Sequence, residues 1–164
     1  PDFEGYAGIA QRDFISVIGR RAGLKRPKYT VPGGGSQNAM NENEKLQQEN
    51  ARTLAKAVVE ALESKKAGEV KTLAVASKTV LADYFVVATG TSSTHIRTLA
   101  DETEFHVQET LGVKPLRVEG FSDNAWTLID YGSVIVHVFT QSAREFYKLE
   151  KLWEDAQAAP SADV

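Results

Sequence analysis

Cysteine is absent from the 164 residues, which removes disulfides and thiolate chemistry and leaves any zinc site to three scattered histidines and carboxylates. His95, His106 and His137 show no ligand spacing, so neither a metal nor another cofactor is expected. No apolar run approaches the roughly 20 residues needed to cross a bilayer, and the N-terminus lacks the hydrophobic stretch of a signal peptide. A soluble, cytoplasmic protein is the expectation. Methionine occurs once, at position 40. What remains is 42% hydrophobic and 25% charged, a balance that suits one globular domain with room for flexible ends and leaves too little chain for a second core.

The net charge of −3 hides an uneven distribution. Before Met40 there are six basic residues and three acidic ones; from Met40 onward there are 13 basic and 19 acidic. An acidic body repels phosphate backbones, which disfavours direct nucleic-acid binding and favours a basic protein partner. The segment Val31-Pro32-Gly33-Gly34-Gly35-Ser36 has linker composition. It divides a basic extension, residues 1–39, from a patterned domain, residues 40–164, with Met40 at or near the native start. The run Arg20 to Arg26 could touch RNA, but basic tails of this kind are more often simply solvated.

Within the domain, Ala51, Leu54, Ala55, Val58 and Leu62 recur at helical spacing between Glu44 and Lys65, with Gly68 placed to stop the helix. Val70 to Ala76 and Ala82 to Ala88 are short apolar runs expected to be strands buried on both faces. Thr91 to Gly112 reads as a second helix capped by Ser92 or Ser93, with Ile96, Leu99, Ala100, Val107 and Leu111 inward. This alternation suggests parallel crossovers. Pro115 to Val118, Ala125 to Tyr131 and Val134 to Phe139 then follow with turn-sized gaps, as antiparallel strands do. Ser142-Ala143-Arg144-Glu145 has the pattern of a capping box opening a last helix, along which Phe146, Leu149 and Trp153 form one stripe. The expected architecture is a five-stranded mixed α/β sheet with helices mainly on one face, part of the other face being left for a partner.

Two chemical readings can be weighed. Ala88 to Ser93 lies between a strand and a helix, where backbone N–H groups could hold a phosphate; a glycine turn with serine caps explains the same residues without a ligand. A nucleotidyltransferase using the Gly90–Ser93 turn would need two carboxylates alternating on a following strand to hold magnesium, and Asp101-Glu102-Thr103-Glu104 falls instead in a helical repeat. A triad of Ser92, His95 and Asp83 lacks any recognisable oxyanion hole. His106 and His137 read as a helix-surface residue and a strand residue with a satisfied hydrogen bond. An enzyme is therefore not expected. Large aromatics are dense in the second half, and Trp126, on a strand face shared with Leu128 and Asp130, suits either a surface anchor or the core.

The runs Ala82-Asp83-Tyr84-Phe85, Ala88 to Ser93 with His95, Val118-Glu119-Gly120, Trp126, Asp130 to Phe139 and Arg144 to Trp153 together resemble the ribosomal silencing factor, or Iojap-like, family over about residues 45 to 156. The resemblance implies a fold similar to nucleotidyltransferases without their active site. It also implies a non-enzymatic repressor of translation that binds the large ribosomal subunit through ribosomal protein fourteen and blocks subunit association under nutrient limitation. By the same likeness Trp126, Arg144, Tyr147 and Leu149 would contact the ribosomal protein, and the free protein could form a homodimer. Ser133 departs from the family, where Asp is common in that turn.

Overall fold

The computed structural model describes residues 42–76, 82–121 and 125–152. The expectations for residues 1–39, for the turn at 122–124 and for Trp153 lie outside these. Helix α1 (Glu42–Ser64) leads into strands β1 (Gly68–Ala74) and β2 (Tyr84–Gly90). Helix α2 (Ser93–Leu111) is followed by β3 (Arg117–Phe121), β4 (Trp126–Asp130) and β5 (Val134–Thr140). The described chain ends in two short helices, α3 (Gln141–Tyr147) and α4 (Leu149–Leu152).

The five strands form one mixed sheet in the order β1-β2-β5-β4-β3. Among the described strands only β2 and β5 run parallel; β1–β2, β3–β4 and β4–β5 are antiparallel. The expectation of parallel crossovers is thus corrected for β1 and β2. Residues 75–83 are too few for a crossover, which takes a dozen residues or more, so the chain turns back on itself. The β4–β5 turn is held by its backbone: Tyr131 N–H donates to Val134 O at 2.9 Å, and Gly132 takes a φ of 94° that suits glycine. The Ser133 carbonyl accepts from Asp83 and Tyr84 N–H at 2.7 and 3.1 Å. Backbone bonds thereby tie this turn to the start of β2.

Alternation along the strands sorts the core into two layers. Val86, Ala88, Ile129, Val134, Val136 and Val138 face α1 and α2, meeting Leu54, Val58, Leu62, Ile96, Leu99 and Val107. Phe85, Val87, Trp126, Leu128, Ile135 and Phe139 point to the other side with Ala143 and Leu149. Helices are mainly on one face, as expected, but the second face is not bare. Its β4 and β5 side chains are buried, and α3 and α4 lie on that side.

Two ends differ from the sequence reading. Helix α1 stops at Ser64; Lys66 just beyond takes a left-handed φ of 60°, with Ala67 N–H donating to Leu62 O, while Gly68 opens β1. Helix α3 is capped by Thr140, whose Oγ1 accepts from Ala143 N–H at 3.2 Å, and not by Ser142. Among the described residues no helix is long and apolar enough to cross a membrane.

Candidate functional site

The four residues expected to meet a partner gather around β4, β5 and the broken C-terminal helix, but three are buried in the free chain. Trp126, Arg144 and Leu149 are 2%, 5% and 5% exposed, and Tyr147 alone is half-buried. Trp126 is a core residue. Its indole stacks on Phe139 at 5.2 Å between centroids, and Nε1–H donates to His137 Nδ1 at 3.2 Å. Register pairs Trp126 with Phe139 and Leu128 with His137, so Trp126 and His137 are diagonal neighbours across the strands, within reach of long side chains. This bond satisfies Nδ1, the strand-histidine hydrogen bond expected from the sequence. Burial holds the His137 pKa down at about 3, so the ring is neutral and Nδ1 is free to accept.

Tyr147 covers the outer edge of this stack, 5.2 Å from Trp126 and 6.1 Å from Phe139, with Phe146 edge-on at 5.1 Å. Its phenol ring is therefore half support for the core and half surface. Phe146 is also only half-buried, and α3 ends at Tyr147. The stripe through Phe146, Leu149 and Trp153 is interrupted there: Lys148 adopts φ 48° and ψ 44°, closing α3 before α4 begins.

The break serves Arg144. Nε and Nη2 donate to Glu150 Oε2 and Oε1 at 3.1 and 2.7 Å, while Nη1 donates to the Glu69 carbonyl at 2.7 Å and Thr89 Oγ1 at 2.8 Å. In an unbroken helix, residue i+6 would sit about 240° around the axis from residue i, out of reach. The left-handed Lys148 turns Glu150 back beneath the guanidinium. Bonding to Arg144 holds the Glu150 carboxyl below its ordinary range, with partial burial opposing. Lys71, 3.6 Å from Glu150, adds to the effect. Glu150, Thr89 and Glu69 were not foreseen, since a spacing of six matches no helical pair and the Thr89 and Glu69 partners come from distant strands.

The Gly90 turn is occupied by its own protein. A Cβ on Gly90 would lie 2.6 Å from Ile96 Cγ1 and 3.2 Å from Ile96 N, so glycine is required by the close approach of α2. Ser92 Oγ accepts from His95 N–H at 3.0 Å as the helix cap. Thr91 N–H donates to His95 Nδ1 at 2.9 Å, and His95 Nε2 lies 2.8 Å from the Lys65 carbonyl. Ser92 and His95 do meet, but in a cap that ties α2 to the end of α1. Asp83 precedes β2 and His95 follows it, about 20 Å apart for seven extended residues, so it cannot orient that imidazole. His106 sits on the helix surface beside Glu60 at 3.3 Å.

The family described as ribosomal silencing factor during starvation matches residues 48–164. A ribosomal silencing factor of Bacillus subtilis is 35% identical over 115 residues, 70% of this chain and 94% of the relative. The mouse protein named mitochondrial assembly of ribosomal large subunit protein 1 is 29% identical over 98 residues, covering 58% of this chain and 43% of its own length. A solved structure from Chromobacterium violaceum superimposes with a TM-score of 0.61 at 32% identity, covering 67% of this chain and 90% of the other.

Proposed function

The chain belongs to the family of ribosomal silencing factors that act during starvation, and on that premise we propose that it represses translation by binding rather than by chemistry. In this reading it docks on the large ribosomal subunit through ribosomal protein fourteen and blocks association with the small subunit when nutrients are scarce. The observation that carries the reading is the family match across residues 48–164, which takes in every described strand. The relative named for assembly of the ribosomal large subunit points to the same particle. The excess of acid from residue 40 onward suits a basic ribosomal protein, speeding encounter in a salt-dependent way.

The contact set proposed from the family is Trp126, Arg144, Tyr147 and Leu149, and burial divides its labour. Tyr147 offers ring area and hydroxyl to the partner, whereas Trp126 backs the ring and Arg144 and Leu149 hold the turn that positions it. Cosedimentation with separated subunits at graded salt tests the function: pelleting with large and not small subunits is expected, and equal pelleting with both would refute it. Tyr147→Ala should weaken binding by about 1–4 kcal/mol, the range of interface hot spots. Because the ring also packs on Trp126 and Phe139, some folding stability should be lost as well. Nucleotide titration, expected to show no binding, separates this reading from nucleotidyl transfer.

A further inference from the structure

Strand β3 ends the sheet, and among the described residues no strand pairs with its outer side. Natural edge strands are usually blunted by charge, proline or a covering element, because their free N–H and C=O groups template pairing with another chain. Strand β3 carries charge on one face, where Arg117 pairs with Glu119 at 3.1 Å, but on the other Val118 is 43% exposed and Leu116, just before the strand, 68%. Helix α2 packs mainly on β2, β5 and β4. A groove of about 370 Å³ results, lined on the helix by Arg97, Asp101 and Glu104 and on the strand by Val118 and Gly120.

The groove combines an apolar floor with unbalanced charge. Arg97, Asp101 and Glu104 are spaced by four and three residues, on one flank of α2, and two carboxylates face one guanidinium. Partial burial, and then the neighbouring Asp101, push the Glu104 carboxyl above its ordinary range. An incoming cation would relieve that repulsion.

We propose that the β3 edge and this groove receive an extended, Lys- or Arg-bearing segment of a ribosomal protein, added to the sheet as a strand beside β3. An apolar side chain of the segment would rest on Val118 while its cation lies between Asp101 and Glu104. Main-chain bonds would supply affinity, and the side chains alternating into the groove would supply selectivity. The inference rests on large-subunit binding and adds a second surface on the opposite face of the sheet from Tyr147.

The test uses the full chain and purified large subunits, comparing wild type with Val118→Lys and with the double variant Asp101→Lys, Glu104→Lys. Each variant is expected to bind about tenfold more weakly, as removal of an interface anchor or complementary charge does, while unfolding at nearly the wild-type temperature. Hydrogen exchange at the amides of 117–121 should slow in the complex. If wild type itself fails to pellet, both this inference and the ribosomal reading fall. If wild type binds, both variants match it and β3 exchange is unchanged, the groove is not a contact surface, although the ribosomal reading stands. Protection of β3 that appears in the free protein with rising concentration, and vanishes in Val118→Lys, would assign the edge to a second copy and overturn the proposal.

Discussion

Acid should destabilise this protein through one buried imidazole. His137 accepts the Trp126 indole N–H at Nδ1 and lies between Phe85, 5.2 Å away edge-on, and Phe139, stacked at 6.2 Å. Burial takes the imidazolium out of water, which is why the folded pKa falls from 6.5 to about 3; protonating Nδ1 would also set donor against donor. The unfolded chain takes up a proton below pH 6.5 and the folded chain does not. Stability from this group is therefore complete above pH 6.5 and is lost as pH falls from there towards 3. Each pH unit in that range costs about 1.36 kcal/mol, so going from pH 7.5 to 5.0 should remove about 2 kcal/mol. For a folded unit of about 100 residues this corresponds to a midpoint lower by roughly 8–16 °C. Urea unfolding followed by tryptophan fluorescence at several pH values measures the loss, with His137→Gln as the comparison. Glutamine keeps an acceptor and removes the titration, so the variant's stability should vary less with pH by about that 2 kcal/mol. Parallel profiles for the two proteins would refute the argument.

Arg144→Met should cost about 2–4 kcal/mol of stability, somewhat below the full cost of breaking a buried pair because the Glu150 carboxylate can reach water; thermal unfolding checks this, and an unaffected midpoint would return Arg144 to the role of a direct partner contact. Because the folded Glu150 pKa is depressed from 4.5, its share of the clamp is present above pH 4.5 and lost as pH falls below; the acid unfolding profile of Arg144→Met should therefore be shallower below pH 4.5 than that of wild type. Gly90→Ala forces a methyl group to within 2.6 Å of Ile96 and should cost about 1–3 kcal/mol by overpacking, read by urea denaturation.

Much of the architecture was legible because period and burial agree. The spacing of Ala51, Leu54, Ala55, Val58 and Leu62 marks a helix face that is buried throughout. Apart from His137, Val134 to Phe139 is an apolar run because β5 is central and covered on both faces. A serine cap at the start of α2 and its end at Gly112 are local chemistry and were readable as such, although which serine caps, Ser92, was left to the structure. Strand direction was less accessible, since an apolar run looks the same whether its neighbour is parallel or antiparallel. For β1 and β2 the length of their connection decides it.

The interior of the candidate site was harder to see. Trp126 suited surface and core equally, because Asp130 on the same strand face suggested exposure. In the fold Asp130 is buried, with Oδ1 accepting from Gly132 N–H at 2.8 Å, and the face closes under α3. The break at Lys148 carries neither glycine nor proline to announce it; a lysine holds a left-handed conformation there while Arg144 grips Glu150 and two strands at once. Periodicity and capping are properties of neighbours along the chain, so the sequence by itself determined the elements, their order and the family. Which anchors are buried, where the last helix breaks and which edge stays open depend on contacts between residues distant in the chain, and only the tertiary structure decided them.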